Sequence, residues 1–344
     1  MREVVTSSTS ESPPQVIVDP RFAIEWRDIA DFLGEFGPHN GRYVPRYPSD
    51  WPNRLKAHVD ELSIAKSQPV KRAALLERIR REAPLCTVPV GWRWEDEKPW
   101  SENVGTAVPP GPAALVVGQA LDPTPFAGWS ETIDSIRETR RRSWPFHGSV
   151  SEYVEFCRPL LVNSPAAYLI DPYLDPFSDA TKNLTESLLG LAQGSRCYSI
   201  AMIVRRSSCG RGDQTKRSPP MLFAEIETTF KKEYRELVPK DRTLQLHLVN
   251  EGSLKGKRLH LHDRFFLTTH GAIQFGQGFA LGNMALPKQN ASVIERDHHT
   301  QLKQIYIDGV ARFREYLPKV PGVAYPVDVN STVVYGETTQ RRHA

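Results

Sequence analysis

An α/β fold, a mixed sheet held between helices and preceded by a mainly helical N-terminal region, follows from three features of the chain. From Ala166 onward, short apolar runs alternate with longer amphipathic ones, the rhythm of strand, helix, strand, helix. One of the short runs, CYSIAMIV, is apolar almost throughout, as strands covered on both faces are. The first quarter instead carries apolar residues at helical spacing, separated by Gly- and Pro-rich stretches.

Taken in order, residues 1–15 are rich in Ser, Thr, Glu and Pro and read as a disordered tail. PRFAIEWRDIADFLGEFG sets Phe22, Trp26, Ile29 and Leu33 at helical intervals and stops at Gly34 or Gly37. SDWPNRLKAHVDELSIAKS follows, with Ser49 or Asp50 as N-cap, Pro52 early, and Leu55, Val59 and Leu62 on one face. PVKRAALLERIRREA turns Val70, Ala73, Leu76 and Ile79 inward, ringed by Lys71, Arg72, Arg78, Arg80 and Arg81. These three helices make a domain over 16–83. Residues 84–150 read as a Pro/Trp-rich connecting region with one short strand, AALVVG, three tryptophans, Trp92, Trp94 and Trp100, and with the alternate Trp92 and Trp94 packing over a neighbouring domain or else stacking on bases. It also holds the helix SETIDSIRETRRR, whose Arg137, Arg140, Arg141 and Arg142 exceed what a helix dipole asks for.

The principal domain is expected over 151–320, with a C-terminal tail over 321–344. SVSEYVEFCRPLL is a helix, AAYLIDPYL a strand ending at Asp171-Pro172-Tyr173, and FSDATKNLTESLLGLAQG a helix closed by Gly194. Beyond CYSIAMIV, the loop RRSSCGRGDQTKRSPP carries Arg205, Arg206, Arg211, Lys216 and Arg217 off the C-terminal end of a buried strand, the rim where open sheets take ligands. FAEIETTFKKEYRELV is an amphipathic helix and LQLHLV a strand. The basic loop EGSLKGKR, with Lys255, Lys257 and Arg258, then leads to a hairpin, and QLKQIYIDGVARFREYL closes the core as a helix.

Composition excludes several classes. With 344 residues, 40% hydrophobic and 24% charged, the chain is neither fibrous nor disordered as a whole. No apolar run approaches the roughly 20 residues of a membrane-spanning helix, and the first residues lack the apolar core of a signal peptide, so a cytoplasmic protein is expected. Cys86, Cys157, Cys197 and Cys209 are widely spaced, which fits free thiols and no zinc site. No cofactor or metal is expected; His298 and His299 are adjacent and diverge, with no third ligand spaced to join them. The formal charge of +4 leaves nucleic-acid binding to the local distribution of cations.

The hairpin HLHDRFFLTTHGAIQFGQGF, His260 to Phe279, is where residue types and spacing together suggest chemistry. As a strand it places His260, His262, Arg264 and Phe266 on one face and Leu261, Asp263, Phe265 and Leu267 on the other, presented at a sheet edge, before turning at Thr268–Gly271. An imidazole beside a guanidinium suits a phosphodiester, one attacking or donating a proton and the other holding a non-bridging oxygen. The stretch resembles the phospholipase D superfamily, whose motif is His-x-Lys-x4-Asp-x6-Gly-Ser-x-Asn. His262 and Gly276 match it, Arg264 stands for the lysine, and Thr269, Gln277 and Phe279 stand where the family has Asp, Ser and Asn. The HDR start and G-x-G-F ending are also similar to the phospholipase-D-like domain at the C-terminus of MIT-domain proteins, a binding branch. The resemblance covers roughly Ala166 to Leu317.

It implies a phosphate site at Arg264, Gly276 and Gln277; the place of the basic loops adds Arg205 and Arg206 and makes Arg211, Lys216, Arg217, Lys255, Lys257 and Arg258 nucleic-acid candidates, the alternative being solvated surface loops. Family enzymes use two motifs, and this chain shows one. Catalysis therefore implies a homodimer, with His262 as nucleophile or acid, Arg264 stabilising charge on phosphorus, and Glu295 or Asp297 setting the imidazole tautomer in place of the missing motif carboxylate. Two function classes stand open. One is a metal-independent nuclease or other phosphodiesterase of prokaryotic antiviral defence or DNA processing. The other is an inactive phospholipase-D-like module that binds nucleic acid or another phosphorylated ligand within a larger complex.

Overall fold

A computed structural model describes residues 16–62, 67–107, 115–117, 129–138, 142–209, 219–249, 264–279, 289–308 and 333–335. Two units divide the chain at Trp144 and Pro145. The stretch expected to be a connector thus belongs, up to Trp144, with the first unit.

That first unit is less purely helical than its sequence pattern suggests. Strand β1 (Val16–Val18) pairs in parallel with β4 (Leu115–Val117), and β2 (Val44–Arg46) with β3 (Thr87–Pro89). Helices α1 (Trp26–Glu35), α2 (Trp51–His58), α3 (Pro69–Glu82), α4 (Trp100–Ala107) and α5 (Trp129–Glu138) accompany them. Helix α1 starts where it does because Asp28, in its first turn, accepts the backbone N–H groups of Ile24 and Glu25, each at 2.8 Å. Phe22, Ile29, Phe32, Trp51, Leu55 and Ile79 form one core with Trp129, Ile133 and Ile136 of α5. The buried stripe of α3 is Leu75 and Ile79, whereas Val70 and Ala73 face solvent, a rotation from the expected face. Three of its arginines pair with carboxylates of the same helix, Arg78 and Arg81 with Glu82 and Arg80 with Glu77, while Arg72 pairs with Asp60. Arg137 is likewise shared among Asp31, Glu35 and Asp134. Trp92 and Trp94 set their rings edge-on to Tyr47, so these two tryptophans of the 84–150 stretch pack on the preceding 16–83 segment, as expected.

The second unit is built on an eight-stranded sheet. Its strands are β5 (Ser143–Phe146), β6 (Ala166–Ile170), β7 (Ser199–Arg205), β8 (Thr243–Val249), β9 (Phe265–Thr268), β10 (Ala272–Phe275), β11 (Gln289–Val293) and β12 (Val333–Tyr335), in the order β12-β8-β7-β6-β9-β10-β11-β5. Strands β6, β7 and β8 are parallel, β9 runs against β6, and the order continues antiparallel through β10 and β11. Residues 333–335, within the stretch read as a tail, pair with β8. Helices α6 (Val150–Asn163), α7 (Asp179–Ala192) and α8 (Pro219–Tyr234) share one apolar cluster with Ile200, Met202 and Val204 of β7, while α9 (Arg296–Tyr306) joins Ile203 in another. The mixed sheet between helices is therefore as expected.

The hairpin obeys the expected alternation but not the expected position. Phe266 belongs to the cluster of α6 and α7, and Phe265 and Leu267 to that of α9. Strand β9 lies inside the sheet rather than at its edge, because Ala167–Ile170 of β6 pair with Thr268–Phe265. All four of its residues are buried. Helix α9 begins at Arg296, five residues before the run expected to form it.

Candidate functional site

Because β9 runs against β6, the start of β9 and the ends of β6 and β7 fall on one rim of the sheet, with Ile170 opposite Phe265. Three residues distant in sequence therefore meet there: Asp171 after β6, Arg205 ending β7, and Arg264 before β9. Nη1 of Arg264 donates to the carbonyl of Gly276 at 2.9 Å. Its Nε stands 3.8 Å from Oδ1 of Asp171, and its guanidinium carbon lies 5.0 Å from the centre of the Tyr173 ring. The guanidinium carbon of Arg205 lies 4.7 Å from the same ring. Tyr173 is 49% exposed and the Arg264 side chain 27%, so both are open to solvent.

Asp171 is buried and fully engaged. Its Oδ1 accepts the Tyr173 N–H at 2.8 Å and its Oδ2 the Phe279 N–H at 2.9 Å. Burial raises its carboxyl above the usual range, against the opposing pull of those two N–H groups and of Arg264. The loop it grips, Gly276–Phe279, is held on every side. Gly276 N–H donates to the Asn290 carbonyl at 2.9 Å, Gln277 N–H to the Gln289 side chain at 3.1 Å, and the buried Tyr153 hydroxyl to the Gly278 carbonyl at 2.6 Å. Gly278 has φ +71°, and a Cβ there would overlap the Asp171 carboxylate and the Arg264 side chain.

Among the described residues the rim brings together two guanidiniums and the buried Asp171 carboxylate. Arg264 has five N–H donors; Nη1 serves Gly276 and the buried Nε faces Asp171 at 3.8 Å, which leaves open the remaining Nη donors of a side chain that is 27% exposed. Such a group can hold an anion, with its orientation set by the carboxylate beneath it.

Of the residues expected in a phosphate site, the structure brings together Arg264, Gly276, Gln277 and Arg205. Arg206 follows β7 in a short turn, its side chain outside the described set. His262, Arg211, Lys216, Arg217, Lys255, Lys257 and Arg258 also lie outside the described residues. Glu295 is a correction: it caps α9 just beyond β11, where Ile294 N–H meets the Ala272 carbonyl, at the opposite end of the strands from Arg264. Asp297 and Thr269 lie at that far end too. At the motif's Asn position Phe279 buries its ring in the core, yet its backbone N–H still serves the site through Asp171.

Sequence reasoning missed Asp171, Tyr173, Tyr153 and the need for glycine at 278. The available signal was an acidic residue immediately after the apolar run AAYLI, which places a carboxylate at a strand end. The adjacent histidines diverge as expected: His299 Nε2 donates to the Thr268 carbonyl at 2.9 Å, and His298 meets the Phe265 ring edge-on. Among the described residues no group of three or more His, Cys, Asp or Glu is placed to hold a metal ion, and no helix is long and apolar enough to cross a membrane.

No family model and no curated protein matches the chain. Among solved structures, it overlaps that of TrmBL2, an archaeal chromatin protein described as showing a novel mode of DNA binding, with 14% identity and a TM-score of 0.24. The overlap covers 54% of this chain and 58% of that one, so this chain spans less than two thirds of it, and a likeness this slight decides neither fold family nor function.

Proposed function

We propose that the second unit is a phospholipase-D-like module that binds phosphodiesters, nucleic acid foremost, at the rim formed by Arg264, Arg205, Gly276 and Gln277. The observation that supports this is the meeting of two guanidiniums over one exposed tyrosine, with the buried Asp171 carboxylate beside Arg264. Two basic segments add to it. In sequence, Arg211, Lys216 and Arg217 follow β7, and Lys255, Lys257 and Arg258 fall between β8 and Arg264. Cations that meet a phosphate backbone displace its counterions. In this reading the protein is cytoplasmic and works within a larger assembly.

A second reading, metal-independent hydrolysis, is favoured by the spacing of His262, Arg264 and Gly276, the last two of which are joined by a hydrogen bond. In it a homodimer supplies two His262 side chains, one attacking phosphorus and one protonating the leaving oxygen, as suits a nuclease of antiviral defence or DNA processing.

Anisotropy titrations of labelled oligonucleotides at several salt concentrations test the first reading. Arg205→Gln and Arg264→Gln should each weaken binding and flatten its salt dependence; unchanged affinity in both removes the rim from the interface. A nuclease assay in EDTA with wild type and His262→Ala tests the second. Cleavage that survives chelation and disappears in the variant supports hydrolysis, and its absence on DNA and RNA leaves binding alone.

A further inference from the structure

We infer that Tyr173 is a stacking platform for a nucleobase, so that the rim takes single-stranded nucleic acid in preference to duplex or to a phosphorylated lipid surface. This rests on reading the rim as a phosphodiester site and adds the class of strand that fits it.

Tyr173 is one of four large hydrophobic residues that stand exposed among the described residues. An exposed tyrosine alone means little, since much of any protein surface is apolar. This one differs in how it is held. Its own N–H is bound by the buried Asp171 carboxylate at 2.8 Å. The preceding Pro172 has a fixed φ, and its carbonyl accepts both the Arg205 N–H at 3.3 Å and the Ser208 hydroxyl at 2.6 Å. Leu174, which follows, is buried. The backbone that carries the ring is therefore fixed on both sides, and the entropy usually lost when a loop residue orders on a ligand is largely spent in folding.

The chemistry around the ring is that of a base site. Arg205 and Arg264 stand over the ring at 4.7 and 5.0 Å, within cation–π range, so a base stacks on the part of the half-exposed ring that they leave open, with two phosphate-binding groups beside it. A nucleotide in a single strand offers a base and a phosphate at that separation, whereas in a duplex the base faces are covered by their neighbours. A lipid headgroup carries the phosphate but no ring. Stacking on an aromatic side chain accepts any base, so broad sequence tolerance is expected.

The test uses the full chain, a labelled oligo-dT and inorganic polyphosphate, which has the charge of a nucleic acid and no bases. Tyr173→Ala keeps the backbone N–H that Asp171 binds, and its unfolding midpoint verifies that the fold persists. The expected result is oligo-dT binding weakened by about tenfold, polyphosphate binding changed by less than about twofold, and Tyr173→Phe close to wild type. Equal weakening toward both polymers would overturn the inference while leaving the cationic rim in place, since Tyr173 would then only position the arginines. An unchanged oligo-dT affinity, or wild-type binding to duplex or anionic vesicles as tight as to oligo-dT, would overturn it as well. Failure of the wild type to bind either polymer would remove the phosphodiester reading and this inference together.

Discussion

The Asp171 carboxylate occupies the space that any side chain at Gly278 would need. A Cβ on Gly278 would sit 3.0 Å from Cγ of Asp171 and overlap its Oδ2, and the backbone there has φ +71°. Gly278→Ala should therefore destabilise the second unit by at least about 2 kcal/mol, the left-handed conformation and the overlap adding together. Gly276→Ala is the control, because its nearest neighbours are backbone atoms of Asn290 at 3.8 and 3.9 Å, an ordinary contact. Urea unfolding of the two variants should separate them clearly; equal losses would refute the packing argument.

Tyr153→Phe should cost about 1–3 kcal/mol, because it strands the buried Gly278 carbonyl that the hydroxyl satisfies at 2.6 Å. Ligand affinity should fall as well, since the same loop supplies the Gly276 carbonyl that holds Arg264. A variant as stable as wild type with full affinity would show that the loop needs no such tether.

Acid should weaken the end of the sheet opposite the rim. Burial holds the imidazoles of His270 and His299 below the ordinary value, helped for His270 by His299, Arg196 and Lys303, and for His299 by Lys303 against the pull of the Thr268 carbonyl. A base with a depressed folded pKa stays neutral in the fold while the unfolded chain takes up its proton. Stability is thus complete above the ordinary imidazole pKa, near 6.5, and declines as pH falls from there toward the depressed values. Asp171 has the opposite sign, its raised carboxyl contributing most at the lowest pH and losing that contribution as pH rises through its folded value. Urea midpoints between neutral and mildly acidic pH should fall in wild type and flatten in His299→Gln; a parallel fall in both would move the effect elsewhere.

All four thiols should be silent in the native protein. Cys86, Cys157, Cys197 and Cys209 are free and buried, and burial raises each thiol, Cys197 to about 11 and the others further. A chromogenic disulfide reagent should titrate essentially none before denaturant and four after it. Rapid reaction of one native thiol would place it on the surface.

The sheet was legible in the sequence because strand and helix periods differ, and CYSIAMIV and AAYLI declare themselves by apolar content alone. The face of α3 was not, since Val70 and Ala73 match a helical period as well as Leu75 does and only tertiary packing chooses between them. Within the site, Arg264 and Gly276 were legible as neighbours across a hairpin, a local relation. Asp171 lies more than ninety positions before Arg264, and no local pattern reveals that β9 enters the sheet beside β6. The same blindness made Glu295 a tempting carboxylate: it is close to the hairpin in sequence but stands at the wrong end of its strands.

The insertion of β9 between β6 and β10 also sets an order of events during synthesis. Strand β6 leaves the ribosome long before its partner on that side exists, so one of its flanks waits with unpaired amides until the hairpin arrives. Release of a chain cut short of Arg264 would leave that flank open to any extended peptide nearby, and truncated forms should accordingly aggregate more readily than the whole chain.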